Sequence, residues 1–519
     1  MKHFRRTALA GVINLVLVGS PDAYAATSEQ YTEALERRVR ELERRLEKLA
    51  QAGAFSNNNA TTTANPVVEK LTRKVNTLER KLEVQDEVTT GNFNKLPVFD
   101  VAENGFRITS SDKKHQVRIR GAVQGDGRFF SEDDTFKSTD RFELKQARVW
   151  LEGYVFNNIY YKIMPDFAAG SNILPDAYID YVYDPAVSLL VGKYKPALSL
   201  ERLQGDSDTT FLERAFPTYL ASNRDVSIQL HGAFAMPGYA VETVPGPIDS
   251  RNFFTYQFEV DNGSGDDGSP NNNSPDTDDD KEFAGRLFAH PFQHTGYSWL
   301  EGLGIGIAGT VGDPSQQALR AQATPLGRTT YLDYANTYVR TPATGTSAAV
   351  NFAAPVADGD RHRIYPQAYW YGGPFGIVGE YVVSSQHLSG INRAGRAVTI
   401  KQDNTAWQVL ASYVVTGEDN SFGAIKPIQN FNSLDGKWGA LQFAARWSEI
   451  DIDDSTFQLI DRNKSASHAT AWTLGANWFL NSYALIRADY EQVSFKGGAA
   501  NGGDRPTEQV FATRFQVSF

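Results

Sequence analysis

The last twelve residues, Glu508–Phe519, read EQVFATRFQVSF. Phe511, Thr513, Phe515, Val517 and Phe519 share one face of an extended chain, and Arg514, Gln516 and Ser518 share the other. An apolar face that ends in an aromatic suits a strand lying against lipid, with its polar face turned to a lumen. A strand of a soluble sandwich is the alternative. Working back from this strand, alternating segments recur as far as His115, and no amphipathic helix interrupts them. They number about sixteen, the even count that a single-chain bacterial barrel requires.

The connections between these segments are asymmetric. Asn157-Asn158, Asp184-Pro185, Gly373-Pro374 and Asn481-Ser482 are tight turns on one side of an alternating array. The long stretches 195–225, 262–280, 313–360 and 451–467 fall on the other side, which is the pattern of a membrane barrel. The segments 235–250, 291–301 and 417–436 are longer than that pattern allows on the tight-turn side. The connection 195–225 carries Lys195, Glu201, Arg202, Asp206, Asp208, Glu213, Arg214, Arg224 and Asp225, with Phe211, Phe216, Pro217 and Tyr219 as anchors. A connection that long is usually functional, and its aromatic anchors predict a loop folded back into the barrel mouth to narrow it.

Alternation also places charge. With Val117, Ile119, Val149 and Leu151 outward, Arg118, Arg120, Arg148 and Glu152 point inward, as do Arg286, Arg446, Arg487 and Arg514. A charge facing lipid at the midplane costs about 2–4 kcal/mol, so the inward placement is favoured. Two readings stay open. The arginines form rings that attract anions, or they pair with inward carboxylates such as Asp126 and Asp489.

The beginning of the chain reads differently. Lys2, Arg5 and Arg6 precede an apolar run, Thr7–Gly19, and Ala23-Tyr24-Ala25 supplies a cleavage site, so residues 1–25 read as a secretory signal. Removing them takes three cations and Asp22, moving the net charge from -10 to -12. Leu35, Val39, Leu42, Leu46 and Leu49 form one heptad seam, and Val68, Leu71, Val75, Leu78 and Leu82 form a second. The linker 56–66 separates them within an arm of residues 26–90. Seams of about three heptads need a partner. That partner is either another chain in a coiled coil, a trimer fitting best, or the other seam in an antiparallel hairpin.

Other motifs lead nowhere catalytic. GIGIAG at Gly304–Gly309 matches a dinucleotide fingerprint by letter, but Gly312-Asp313-Pro314 cannot continue a helix. The acidic run 266–280 lacks the spacing of a calcium loop. His290 and His294 flank Pro291 and make no helical zinc pair. With no Cys there is neither disulfide nor thiolate metal site. No catalytic residue, metal or cofactor is expected.

Longer stretches carry a family likeness: QARVWLEGYVFNNIYYKIMPDF (146–167), GKYKPALSLERL (192–203), FLERAFP (211–217), NRD (223–225), GKWGALQFAARWSEID (436–451) and the terminal RFQVSF. Over roughly 105–519 the chain resembles the phosphate-selective porin O/P family of outer-membrane channels. The likeness implies an all-β fold, a transmembrane barrel of sixteen antiparallel strands behind a helical arm. It also implies a homotrimer whose third external loop, here 195–225, folds inward. Family members bind anions at an Arg and Lys constriction reached by an arginine ladder. By motif position the candidates are Lys193, Lys195, Arg202, Arg214 and Arg224 around the loop, with Arg118, Arg120 and Arg148 on the early wall. The partners implied are phosphate or polyphosphate, outer-membrane lipid and lipopolysaccharide, with no nucleic acid. A general or organic-acid pore, an envelope tether and a barrel lipid hydrolase are the competing readings.

Overall fold

The computed structural model describes residues 37–45, 47–48, 69–70, 72–81, 83, 96–102, 105–131, 138–168, 173–241, 252–263, 279–340 and 350–519. The signal segment, the linker 56–66, seam residues Leu35, Leu46, Leu49, Val68, Leu71 and Leu82, and most of the acidic run 266–280 lie outside them. The chain divides into two units, residues 1–98 with 110–112, and residues 99–109 with 113–519. In the first, residues 37–45 and 72–81 are helical and carry Val39, Leu42, Val75 and Leu78. Arg45 pairs with Glu41 one turn back at 2.7 Å, an exposed contact that adds a few tenths of a kcal/mol of helix stability.

The second unit is a closed antiparallel barrel. Its sixteen strands, in chain order, are β1 (Gln116–Phe130), β2 (Arg141–Val155), β3 (Ile159–Met164), β4 (Asp176–Asp184), β5 (Val187–Tyr194), β6 (Asp225–Phe234), β7 (Phe254–Asp261) and β8 (Glu282–Ala289). They continue with β9 (Leu303–Gly312), β10 (Val356–Gly372), β11 (Phe375–Ile391), β12 (Ala397–Val414), β13 (Ala440–Asp451), β14 (Ala466–Phe479), β15 (Ala484–Gly497) and β16 (Glu508–Ser518). Each pairs with the next, and β16 returns to β1, with Val517 opposite Val123 and Val510 opposite Phe130. The terminal residue locks this seam, Phe519 and Gly121 exchanging backbone hydrogen bonds of 2.8 and 2.9 Å. Closure leaves the ring no free edge, which lipid requires. All sixteen segments read from the sequence are strands of this ring.

Period-2 burial is regular around the ring, Phe511, Phe515, Val409, Trp447 and Leu474 being exposed while their strand neighbours are buried. GIGIAG lies inside β9, in register with β8 and β10, so its glycines are ladder positions. One glycine has a definite steric role. A Cβ on Gly153 would stand 1.8 Å from the Gln116 carbonyl oxygen across the β1–β2 ladder.

The lumen is not empty. The connection between β5 and β6 enters it and is bonded to inward side chains around most of the ring. Gln367 donates to the Leu198 carbonyl at 2.8 Å, and Leu200 N–H donates to Glu380 at 2.8 Å. Gln408 and Arg446 donate to Glu201 at 2.9 and 3.1 Å. Asn477, Arg487, Gln516 and Gln124 donate to the carbonyls of Thr210, Phe211, Ser207 and Asp206. Phe216, Leu198 and Leu220 pack with Tyr331, Tyr334 and Tyr365 in a buried apolar cluster. Leu200 and Phe211 join Phe288, Tyr369 and Leu410 in another. The loop therefore spends its apolar side on the β8–β15 wall and presents the charges of Asp206, Glu213 and Arg214 toward β1 and β2. The connection after β9 also turns inward, with Leu326 N–H donating to Glu491 at 2.7 Å and Tyr334 Oη to Gln402 at 3.2 Å. From sequence alone that segment reads only as a long external loop.

Candidate functional site

Facing those loop charges, three rungs of charge climb the inner side of β1 and β2. The register sets their order: Arg118 opposes Glu152, Ala122 opposes Arg148, Gln124 opposes Gln146, Asp126 opposes Glu143, and Arg128 opposes Arg141.

On the lowest rung, Arg118 Nε donates to Glu152 at 2.7 Å and Arg120 Nη2 at 3.1 Å. Tyr160 Oη donates to the same carboxylate at 3.0 Å. On the middle rung, Asp206 of the loop is held by Arg148, Arg214 and Lys195, the last at 3.5 Å. Arg148 also reaches Asp166 at 2.8 Å. Burial would raise the Asp206 carboxyl, but Lys195, Arg214 and Arg148 outweigh it and hold it well below the usual carboxylate range. Lys195 goes the other way. Burial pushes its ammonium well below the ordinary lysine range, and neighbouring Arg214 adds to that against the pull of Asp206. Lys195 Nζ and Arg214 also donate to the Arg202, Gln204 and Glu201 carbonyls at the end of a short helix, α1 (Leu200–Leu203).

The upper rung is centred on Glu213, near the loop's end. Arg128 Nη2, Lys145 Nζ and Arg328 Nη2 stand 2.5, 2.8 and 2.5 Å from its Oε1. Lys145 occupies a β-bulge, skipped where the register passes from Gln124–Gln146 to Gly125–Leu144. The bulge turns it toward the lumen although Gln146 beside it is inward as well. Strict alternation would miss Lys145, and Arg328 comes from a connection whose path is invisible in the sequence. Arg128 was legible, since it shares the inward parity of Asp126. Burial and the neighbouring Arg128 lower the Arg328 guanidinium to about 10.

The two lower rungs, with the adjoining pair of Arg224 and Lys162 on Asp176 at 2.6 and 3.3 Å, hold seven cations and four carboxylates. The cations are Arg118, Arg120, Arg148, Lys162, Lys195, Arg214 and Arg224, and the carboxylates are Glu152, Asp166, Asp176 and Asp206, an excess of three positive charges while Lys195 holds its proton. Asp208 lies beside this group, its carboxyl raised by burial against the pull of Arg120 and Arg487. An acidic chain thus keeps a local cationic surplus at the place where the loop approaches the wall.

Not every candidate is open to the lumen. Lys193 falls with Leu189 and Val191 on the outward set of β5, opposite outward Val226 of β6, because it is an even number of residues from both. It is therefore not a pore-lining residue. Arg202 is buried, bonded to Asn223 Oδ1 at 3.0 Å and to the Thr218 carbonyl, so its guanidinium braces the loop. Arg224 is likewise buried against Asp176 at the foot of β6. Lys195, Arg214, Arg148, Arg118 and Arg120 are the candidates brought together along one wall. Arg120 and Arg118 are the most open, with side chains 36% and 26% exposed, and Arg214 follows at 21%.

The remaining inward arginines pair with carboxylates or hold neighbouring wall and loop groups, Arg286 donating to Gln367 at 3.1 Å and Gln257 at 3.3 Å. Arg514 is paired with Asp126 at 2.7 Å. Arg446 bonds Glu201, and Arg487 bonds the Phe211 carbonyl, both of them fastening the loop. Asp489 accepts the Leu212 N–H at 2.6 Å. His290 is hydrogen-bonded to Tyr369 Oη at 2.7 Å, while His294 stacks on Tyr239, so the two histidines do not converge.

Comparison with known proteins places this geometry. No curated protein sequence matches the chain. Among solved structures it is similar to the outer-membrane channel DcaP of Acinetobacter baumannii, with 11% identity, a TM-score of 0.47, and coverage of 80% of this chain and 99% of that one. It is similar to OmpT, an outer membrane protein of Vibrio cholerae, at 10% identity and a TM-score of 0.45, covering 78% and 98%. An anion-selective porin from Comamonas acidovorans matches at 10% identity and a TM-score of 0.41, covering 78% and 100%. The sequence profile of the phosphate-selective porins O and P matches residues 117–519, which takes in every strand of the barrel but the first residue of β1. The chain belongs to the phosphate-selective porin O and P family and is an outer-membrane porin.

Proposed function

We propose that the barrel passes small anions by diffusion through the gap between the Asp206–Arg214 edge of the loop and the β1–β2 wall. Phosphate or polyphosphate is the favoured cargo. The observation that carries this reading is the cationic surplus along that gap, set in a chain whose overall charge is -10. A passage bounded by protein would focus the field of such a surplus and concentrate anions. Arg118, Arg120 and Arg214 would replace part of an ion's hydration with guanidinium contacts. Their existing carboxylate partners keep that binding weak enough for release.

The tight-turn side of the barrel is the periplasmic side in this reading; the arm of residues 26–90 is periplasmic, its two seams serving the coiled coil of a homotrimer. Lipid and lipopolysaccharide surround the outward apolar faces. An organic-acid pore is the second reading, favoured by one observation. Asp206 and Glu213 show that carboxylates already fit the cationic rungs. Planar-bilayer recordings with chloride as carrier decide between them: phosphate blocking chloride current at lower concentration than acetate or succinate supports phosphate, and the reverse order supports organic acids.

A further inference from the structure

The upper rung contains a mismatch between donors and acceptors. Arg128, Lys145 and Arg328 all converge on a single oxygen, Oε1 of Glu213. Arg514 stands behind them at 3.9 Å. Glu143 Oε1 takes further donors from Arg128 and Arg328 at 3.0 and 3.2 Å. Arg141 adds a cation 3.6 Å from Glu143 Oε2. Asp126 lies 3.2 Å from Arg128 and 2.7 Å from Arg514, so three carboxylates face five cations from β1, β2, β16 and the connection after β9. A carboxylate offers about four lone-pair sites over two oxygens, whereas a tetrahedral oxyanion offers three or four oxygens to the same donors. Arg128 and Arg328 are braced independently of Glu213, by the Leu326 carbonyl and by Glu143 at 3.2 Å, and Arg141 beside them by the Gly327 carbonyl at 3.3 Å. The site is also reachable, the side chains of Arg328, Lys145 and Glu213 being 30%, 25% and 16% exposed.

We infer that Glu213 is a tethered competitor, a carboxylate of the loop occupying an oxyanion subsite formed by Arg128, Lys145 and Arg328. The inference rests on the anion-channel reading above and adds a selection rule to it. A tethered group competes at an effective concentration of millimolar or more, so an ion must outbind it to enter. A monovalent ion such as chloride gains one charge contact and does not displace it. A divalent or higher oxyanion gains several charge-assisted contacts at once and does. The subsite therefore favours multiply charged oxyanions, pyrophosphate above orthophosphate. Arg328 couples the subsite to the connection after β9, so displacement of Glu213 also frees the loop end that this arginine holds.

The test is block of chloride current in planar bilayers by inorganic pyrophosphate and orthophosphate, using the full-length protein and the Glu213→Gln variant. The glutamine keeps the side-chain size while removing the competing charge. The half-blocking concentration is expected to fall about tenfold or more in Glu213→Gln, since a close charge pair is worth at least that, and the preference for pyrophosphate over chloride is expected to shrink. Adding Lys145→Gln and Arg328→Gln is expected to cancel the gain. Block in the wild type with no change in Glu213→Gln overturns the competitor and leaves the anion channel standing. Block absent from both overturns both readings, and block that appears only in the variant supports the competitor. If Glu213→Gln does not assemble, the Lys145→Gln/Arg328→Gln protein decides on the wild-type background: a higher half-blocking concentration of pyrophosphate supports the subsite, and an unchanged one removes it.

Discussion

Replacing Arg214 with Gln probes the middle rung at one defined charge. Its guanidinium meets Asp206 and donates to the Gln204 and Glu201 carbonyls at 2.9 and 3.0 Å. Asp206 keeps Arg148 and Lys195 in the variant, and the loop keeps its bonds to Glu380, Gln408, Arg446 and Asp489, so its position is held by other contacts. An anion in the gap would sit about 6 Å from the lost charge. Coulomb's law then gives about 1.4 kcal/mol for a dianion in bulk water, and several times that at the lower effective dielectric of a protein surface. Salt screening reduces the larger figure, leaving about 1–3 kcal/mol. That corresponds to phosphate binding weakened roughly five- to 150-fold. The assay is phosphate block of chloride current in bilayers, with entry of a neutral sugar into proteoliposomes as a control for pore width. Sugar entry is expected to be unchanged. Unchanged phosphate block with normal conductance would refute the assignment and leave Arg214 as a loop brace.

Other expected outcomes follow from the same geometry. Sulfate stays divalent across neutral and alkaline pH, so its block isolates the protein's own titration. Because burial depresses Lys195, block should weaken as pH rises through values below the ordinary lysine range, and Lys195→Met should remove that step. The linkage has the same origin. Below its depressed pKa Lys195 carries the cost of a buried charge, and barrel stability rises with pH between that value and the ordinary one. For Asp206 the sign is opposite: the ion pair contributes above the unfolded carboxylate pKa and is lost only as pH falls through its much lower folded value, so conductance at pH 5 should match that at pH 7. Leu474→Arg places a charge on the lipid face and should destabilise the barrel by about 2–4 kcal/mol in urea unfolding from bilayers. Gly153→Ala forces the β1–β2 ladder apart and should lower the yield of heat-modifiable barrel on SDS gels.

The barrel was legible because its signal is local and repeated. Each strand carries its own alternation, and strands such as β16 state which face meets lipid without reference to the rest of the chain. Closure then follows from the absence of any tolerable edge in lipid. The cationic wall was legible in part for the same reason, Arg118, Arg120 and Arg148 sharing the inward parity of β1 and β2. What failed was parity at the strand end and function within the loop. Lys193 was grouped with the loop cations, although its spacing from Val191 already places it outward. Arg202 and Arg224 look like pore cations by composition. Whether a loop guanidinium faces the lumen or braces a turn depends on contacts such as Asn223 and Asp176, which no periodicity encodes. Lys145 depends on a bulge, and Arg328 on the inward path of a connection nearly two hundred residues further along the chain. By composition alone the acidic residues of the loop count against an anion site. In the structure Asp206 and Glu213 instead organise the cations around them.

The central claim is that the gap along β1 and β2 selects anions and binds phosphate. Reversal potential under a salt gradient across a planar bilayer, measured first in chloride and again with phosphate added, tests it most directly. Anion selectivity together with phosphate inhibition of the chloride current is the expected result. Cation selectivity, or chloride current indifferent to phosphate, would contradict the account and leave a general pore whose arginines serve the loop alone.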